Sequence, residues 1–181
     1  MNSKNSCLLN EGALKENWYV ACLSDELCTK PLARRVYDQE LVLFRSLDGT
    51  PGCLMNQCLH RGALLSEGRL KNNQLVCPYH GWHYSCLNPE KGRVTHIPSE
   101  GPGSSPKARL CQKSFPCVEQ DGCVWVWMGN SQPTTDIPPF RFPHMNDLPW
   151  RHYFMITDFN NEVTHLAENF MDVPHTVFVH A

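Results

Sequence analysis

Two short segments, CLHRGALL at residues 58–65 and CPYHGWHY at residues 77–84, decide how this chain folds and what it binds. The first segment places Cys58 two positions before His60, and the second places Cys77 three positions before His80. Sixteen residues separate the two pairs. Thiolate and imidazole groups are ligands that transition metals prefer. The two segments therefore predict a metal site that is built from two loops.

Two kinds of metal site could use these four side chains. A structural zinc is bound tetrahedrally by Cys2His2 sets, but its ligands usually pair Cys with Cys and His with His. Here each loop supplies one cysteine and one histidine. This mixed arrangement suits a [2Fe–2S] cluster in which one iron is held by two thiolates and the other by two neutral imidazoles. Replacing thiolate by imidazole removes negative charge and raises the reduction potential.

The patterns C-x-H-R-G-A and C-P-Y-H-G-W-x-Y closely resemble the two cluster loops of the Rieske family. The resemblance implies that Cys58 and Cys77 bind the inner iron. It implies that His60 and His80 bind the outer iron and face solvent or a partner protein, where electrons enter or leave.

Other loop residues have expected supporting roles. Gly62 and Gly81 would let the backbone approach the cluster closely, and Pro78 would stiffen the second loop. Three aromatic residues are expected to shield the cluster, with ordinary packing as the alternative: Tyr79, Trp82 and Tyr84.

One difference separates this chain from part of the family it resembles. Respiratory and photosynthetic Rieske proteins have an additional cysteine in each loop, and the two are joined as a disulfide. This chain has Ala63 and Tyr79 at those positions. The resemblance is therefore to the oxygenase- and ferredoxin-type branch.

Composition and charge agree with this assignment. The 181 residues are 41% hydrophobic and 19% charged, with a formal net charge of −2, which indicates a soluble globular protein with no nucleic-acid or anionic-membrane partner. We find no secretory signal and no apolar run long enough to cross a membrane. The ten cysteines are expected to be reduced, two as ligands and eight as small buried hydrophobes, in a cytoplasmic protein.

Short β-like runs separated by turn residues predict a mainly β protein. We expect an N-terminal tail over residues 1–16 and a Rieske-type small β-sandwich or barrel with two cluster-binding loops over residues 17–128. The turns Asp48–Gly49 and Asp121–Gly122 are expected to join strands. A proline-rich linker would cover residues 129–149, and residues 150–181 would begin an α+β catalytic domain.

The start of that second domain is predicted to contain one strand and one helix. Residues 150–159, WRHYFMITDF, suggest the strand. Apolar residues then recur at helical spacing, with Asn160 or Asn161 as a plausible N-cap and Pro174 disturbing the helix. They are Val163, Leu166, Ala167 and Phe170.

The segment ENFMDVPHTVFVH, residues 168–180, resembles the mononuclear-iron motif E-N-x-x-D-x-x-H-x-x-x-x-H of Rieske non-haem iron oxygenases. The resemblance implies that His175 and His180 bind a single Fe(II), which leaves open positions for O2 and substrate. It implies that Asp172 links a cluster histidine to an iron histidine, in the family across neighbouring subunits of a trimer, and that Asn169 lies close to the iron.

The third iron ligand of the family is a carboxylate on a later helix. The chain stops at Ala181, so we expect a fragment or truncated product of a longer oxygenase that loads a cluster without hydroxylating a substrate.

Three functions remain open from the sequence. The first is the oxygenase component of a mono- or dioxygenase that takes electrons from NAD(P)H through a reductase or ferredoxin, activates O2, and hydroxylates or demethylates a small organic substrate. The motif resembles most closely that of single-component-type monooxygenases and O-demethylases. The second is a Rieske ferredoxin-like electron carrier with no catalysis of its own. The third is a zinc-binding interaction module.

Overall fold

The computed structural model describes residues 15–101, 106–107 and 109–180. They form two compact units, one that ends at Pro143 and one that begins at His144. Of the expected N-terminal tail, all but Lys15 and Glu16 lies outside the described residues. No helix in the described part of the chain is long and apolar enough to span a bilayer.

The first unit is built from short antiparallel strands that form three sheets, which confirms the mainly β prediction. The strands are β1 (Trp18–Leu23), β2 (Leu32–Val36), β3 (Gln39–Arg45), β4 (Pro51–Met55), β5 (Arg69–Lys71), β6 (Gln74–Val76), β7 (His83–Ser85), β8 (Val94–His96), β9 (Ser114–Phe115), β10 (Cys117–Gln120) and β11 (Cys123–Trp127). The sheet orders are β1-β11-β10, β2-β3-β4-β9 and β5-β6-β7-β8. Short 3-10 helices span Ser24–Glu26, Leu65–Glu67 and Pro98–Glu100.

Tight two-residue loops set the register of three hairpins. In each loop both residues have positive φ, as type I′ turns require, and this twist matches the twist of the flanking strands. The loops are Tyr37–Asp38, Asn72–Asn73 and Asp121–Gly122. The predicted Asp121–Gly122 turn is thus confirmed, as is the predicted Asp48–Gly49 turn between β3 and β4, where Gly49 has a φ of 86°.

The central sheet is buried on both faces because its strands alternate between two cores. On β3, Leu41 and Leu43 pack into a core shared with the β1-β11-β10 sheet, whereas Val42 and Phe44 pack into a second core shared with the β5–β8 sheet. This alternation follows from the two-residue period of a strand. The second core includes Cys58 and Cys77, so the hydrophobic effect that folds this half of the unit also holds both predicted cluster loops.

Side chains of the first unit hold the proline-rich segment after β11 at several points. Residues 128–160 contain no helix or strand. Three side chains donate to carbonyls of the segment: Trp18 Nε1–H to Ile137 (2.8 Å), Trp127 Nε1–H to Ser131 (2.8 Å) and Gln120 Nε2–H to Phe140 (3.0 Å). Two carboxylates accept from its backbone: Asp121 Oδ2 from Phe142 N–H (3.1 Å) and Glu16 Oε1 from Asn130 N–H (2.7 Å). The segment up to Phe142 is therefore attached to the sheet rather than free.

The second unit contains two helices, α1 (Val163–Met171) and α2 (His175–Val179). The predicted helix is confirmed as α1, and it ends three residues before Pro174. The predicted cap is displaced by one or two residues: Glu162 occupies the N-cap position, and Asn161 Oδ1 accepts the Glu162 N–H at 2.9 Å.

The strand that we expected over residues 150–159 is not formed. A strand is held by hydrogen bonds to a neighbouring strand. No other strand exists in the described part of this unit, so an apolar, β-prone run has no partner to pair with.

Candidate metal centre

The two predicted cluster loops have the same backbone pattern. In the first loop, Cys58 N–H donates to the Ala63 carbonyl at 2.8 Å, and Gly62 N–H donates to the Cys58 carbonyl at 2.9 Å. In the second, Cys77 N–H donates to the Trp82 carbonyl at 2.9 Å, and Gly81 N–H donates to the Cys77 carbonyl at 3.2 Å. The loops therefore present their cysteines and the residues that follow in matching conformations.

Each loop reverses its direction at a glycine. Gly62 has a φ of 71° and Gly81 a φ of 68°, in the left-handed region that L-residues with a Cβ rarely adopt. A Cβ on Gly81 would also lie 3.1 Å from Pro98 Cγ. The positive φ values are a reason for glycine at both positions, and the expected close approach of the backbone to a cluster stays a prediction.

Both cysteines lie inside the unit, next to the second core. Cys58 is 3% exposed and Cys77 is 2% exposed. Burial raises the pKa of the Cys77 thiol, while the backbone N–H groups of Tyr79 and His80 act in the opposite direction because they stabilise the thiolate. The Cys58 side chain is also close enough to influence Cys77. The two thiols are thus brought together, and backbone donors at Cys77 favour the charged form of its side chain.

Tyr84 fixes the surroundings of Cys58. Its hydroxyl lies 3.1 Å from Cys58 Sγ and accepts the Leu59 N–H at 2.9 Å. Burial, and next the contact with Cys58, raise the pKa of Tyr84 well above its usual range, so the phenol stays protonated. With the Leu59 N–H donating to the oxygen, the phenol proton is free to point at the sulfur.

The two histidines lie at the surface and face each other. The ring centroids of His60 and His80 are 4.6 Å apart. The Trp82 ring stacks on the His60 ring, with centroids 5.0 Å apart and an interplanar angle of 2°. The centroids of the Tyr79 and His80 rings are 3.9 Å apart. Desolvation, and next His80, lower the pKa of His60, which favours the neutral imidazole that a metal requires.

This arrangement can be tested against the two candidate metals. A tetrahedral zinc needs its donors around one point. Among the described residues, no three His, Cys, Asp or Glu side chains are placed to hold one metal ion. The donors are instead separated into a buried thiol pair and an exposed imidazole pair, which fits a dinuclear cluster with two unlike irons better than it fits zinc.

The second predicted constellation lies in the second unit. The ring centroids of His175 and His180 are 5.3 Å apart. His175 Nδ1 contacts the Asp172 carbonyl oxygen and lies 3.5 Å from Asp172 Oδ2. Asn169 is exposed on α1, one turn before Asp172. The structure thus brings three of these four residues together, and Asp172 orients a predicted iron ligand.

Sequence reasoning missed one polar contact in this site. It assigned Tyr84 to shielding, whereas the structure gives its hydroxyl two polar partners. The spacing of 26 residues between Cys58 and Tyr84 hides the contact in the sequence. Strand β7, which positions Tyr84, was not predicted either, because three residues are too few to show the two-residue alternation of a strand.

Known proteins match both parts of the chain. The Rieske [2Fe-2S] domain family matches residues 17–116. The oxygenase component of dicamba O-demethylase from Stenotrophomonas maltophilia is 37% identical over 169 residues, which are 92% of this chain and 48% of that protein. Chloroplastic chlorophyllide a oxygenase from Oryza sativa subsp. japonica is 32% identical over 93% of this chain and 29% of its own length. The chain therefore spans less than half the length of these curated relatives.

A solved structure gives the same relationship in three dimensions. Dicamba monooxygenase bound to dicamba has a TM-score of 0.79 and 36% sequence identity, over 92% of this chain and 48% of that one. Another structure of that enzyme, at 42% identity and a TM-score of 0.60, contains non-heme iron. The family match covers more than half of the chain and includes both loops. This protein belongs to the Rieske [2Fe-2S] domain family, with oxygenase components among its relatives.

Proposed function

We propose that this protein is the oxygenase component, or part of one, of a Rieske non-haem iron monooxygenase or dioxygenase. A reductase, with or without a ferredoxin, would deliver electrons from NAD(P)H, and the substrate would be a small organic molecule that is hydroxylated or demethylated with O2. The observation that supports this most strongly is the separation of two buried thiols from two exposed, facing imidazoles.

The first step is the assignment of the cluster ligands. Cys58 and Cys77 would hold the inner iron from within the core, and His60 and His80 would hold the outer iron at the surface. When bound, the cluster supplies one-electron transfer and the mononuclear iron supplies O2 activation. The exposed imidazoles would give an electron donor or acceptor a short approach.

The second step is the assignment of the mononuclear site. His175 and His180 would bind Fe(II), and Asp172 would hold the His175 ring and its tautomer through the Nδ1 contact. Since Nδ1 faces Asp172, Nε2 is the nitrogen left for the metal. Asn169 would lie near this iron. We further propose a homotrimer, in which the Asp172 of one protomer connects its iron site to the cluster histidines of the next.

The location belongs to the same proposal. The nine described cysteines carry free thiols, and we assign the protein to the cytoplasm, where thiols stay reduced.

Metal content tests the two assignments separately. In anaerobically prepared protein reconstituted with iron and sulfide, His80→Ala should remove the cluster and its sulfide. His175→Ala should leave the sulfide unchanged and remove one equivalent of iron. His96→Ala is the matched control, because it removes an imidazole from β8 that belongs to neither proposed metal site. Its iron and sulfide contents should equal those of the wild-type protein. Equal sulfide in wild-type protein and His80→Ala would overturn the proposal.

An electron carrier remains the second candidate. The observation in its favour is that both predicted cluster loops and both hydrophobic cores lie within the first unit. A carrier would accept electrons, bind no mononuclear iron, and be insensitive to His175→Ala in its iron content.

A further inference from the structure

The β5–β8 sheet has an outer face whose charged residues the proposed function does not use. Its inner face, with Leu75 and Tyr84, belongs to the second core. Because directly paired residues of neighbouring strands point to the same side, the pairing Arg69–Val76–His83–His96 forms one row across the outer face. Lys71 lies in the next row, opposite Gln74. We call Arg69, Lys71, His83 and His96 the basic face.

The charge of this face is not balanced locally. The four strands contain no Asp or Glu, although the whole chain has 18 acidic and 16 basic residues. Five arginines elsewhere in the unit are paired with carboxylates: Arg34 with Glu26, Arg35 with Asp38, Arg45 with Glu119, Arg93 with Glu90 and Arg141 with Asp121. Arg69 and Lys71, like Arg61 and Arg109, have no acidic partner among the described residues, and both are exposed on the same face of one sheet.

The histidines of the basic face are held in place. His83 Nδ1 lies 2.6 Å from Gln74 Oε1, and Gln74 Nε2–H donates to Thr95 Oγ1 at 2.9 Å. The His83 and His96 rings meet edge to face with centroids 5.1 Å apart. Partial burial, and next His96, Lys71 and Arg69, lower the pKa of His83 and favour its neutral form, so the permanent positive charges of this face are those of Arg69 and Lys71.

The basic face is also the surface from which the second cluster loop arises. Val76, in the row between Arg69 and His83, is the residue directly before Cys77. His83 directly follows Trp82, whose carbonyl accepts the Cys77 N–H at 2.9 Å. The face thus adjoins in sequence the backbone that carries Cys77, although Val76 itself is only 1% exposed.

We infer that the basic face is the docking surface for an electron-donor protein with an acidic surface around its own redox centre. The inference rests on the proposed function, because it names the partner of the proposed cluster. Unpaired cations on the face leave it complementary to carboxylates, and such complementarity mainly accelerates association. The exposed imidazole side, with His60 and His80, remains available for the proposed contact with a neighbouring copy.

The test compares two double charge reversals in the cluster-loaded chain. Arg69→Glu/Lys71→Glu alters the basic face, and Lys30→Glu/Lys107→Glu makes the same change in net charge at exposed positions elsewhere. Arg69→Lys/Lys71→Arg keeps the charge of the face. Reduction of the oxidised cluster is followed by absorbance after mixing with a photoreduced acidic [2Fe–2S] ferredoxin, and separately with photoreduced deazaflavin, a small non-protein reductant.

We expect the ferredoxin rate constant of Arg69→Glu/Lys71→Glu to fall about tenfold at low ionic strength, with the difference shrinking as salt is added. The Lys30→Glu/Lys107→Glu and Arg69→Lys/Lys71→Arg proteins should match wild type, and all variants should react equally with deazaflavin. Equal ferredoxin rates in the two Glu variants would overturn the inference. A change of molecular mass in light scattering, without a change of rate, would overturn it in favour of a second copy on this face. A chain that loads no cluster would overturn the proposed function as well, so the two failures are distinguishable.

Discussion

The hydroxyl of Tyr84 lies 3.1 Å from the sulfur of Cys58, at the bottom of the proposed cluster site. The same oxygen accepts the Leu59 N–H at 2.9 Å. When Cys58 binds a metal as thiolate it has no proton to give, so the phenol must be the donor in this pair. A buried donor beside a thiolate stabilises the more negative, reduced state of a cluster.

Tyr84→Phe should therefore lower the reduction potential. If the hydrogen bond contributes about 1 kcal/mol more in the reduced state, the shift is roughly 40 mV for one electron. A potentiometric titration measures it. Tyr79→Phe is the control, because it removes a hydroxyl from an exposed ring beside His80, and its potential should stay at the wild-type value. A potential that is unchanged in Tyr84→Phe would contradict the assigned donor.

Gly81→Ala should prevent cluster loading. The residue has a φ of 68°, and its new Cβ would lie 3.1 Å from Pro98 Cγ. We expect a loss of about 1–2 kcal/mol in the free energy of unfolding together with loss of iron and sulfide. Gly49→Ala is the matched control: Gly49 has a φ of 86°, and a Cβ there would meet open space, with nothing within 4 Å. It should lose similar stability and keep its iron and sulfide, and equal metal loss in both variants would contradict a role specific to the loop.

The ion pair between Arg45 and Glu119 should make stability depend on pH. Arg45 donates to both Glu119 oxygens, at 2.6 and 3.2 Å, and this hydrogen bonding is the main cause of the lowered pKa of Glu119. A carboxyl whose pKa is lower in the folded state stabilises the fold above its unfolded pKa of about 4.3. That contribution is lost as the pH falls below this value.

Glu119→Gln should therefore reduce the free energy of unfolding by about 1 kcal/mol near neutral pH, and by less in acid, where the wild-type carboxyl is protonated too. Denaturant titrations of the wild type and the variant, near neutral pH and in acid, measure the difference. Glu40→Gln is the control, because Glu40 and its partner Arg35 are 61% and 66% exposed and 3.7 Å apart. Its free energy of unfolding should stay close to the wild-type value at both pH values. A cost at Glu119 that does not change with pH would show that the ion pair does not stabilise the fold.

Trp18→Phe should loosen the segment that follows β11 without unfolding the sheets. The substitution removes the donor to the Ile137 carbonyl and keeps an aromatic ring near Trp127, whose centroid is 5.6 Å away. Amide hydrogen exchange should become faster around residues 130–142 and stay unchanged in β3 and β4. Trp150→Phe, at a 61% exposed position of the second unit, is the control and should leave residues 130–142 at wild-type rates. Slower or unchanged exchange in Trp18→Phe would mean that this hydrogen bond does not hold the segment.

The features of this protein that can be predicted are those that residues close together in the sequence determine. The two loop motifs identify the Rieske family, and the strands that consist of short apolar runs, such as β3 and β11, are expected from their residues. The features that sequence reasoning missed depend on distant partners. The strand that we expected over residues 150–159 is not formed, because it has no described neighbour to pair with. The three-residue strands β5 and β7 were not expected, because they are held by their neighbours rather than by a period of their own. The Tyr84–Cys58 contact arises only once β6 and β7 are in register.

The central claim is that Cys58, His60, Cys77 and His80 together hold a [2Fe–2S] cluster with two imidazoles on one iron. Pulsed EPR of the reduced protein, prepared without air and assayed for inorganic sulfide, measures this directly. We predict two equivalents of sulfide and nitrogen couplings from two histidines, one of which disappears in His60→Cys along with a large fall in potential. Protein that contains zinc without sulfide, or a reduced cluster with no nitrogen coupling, would contradict the claim.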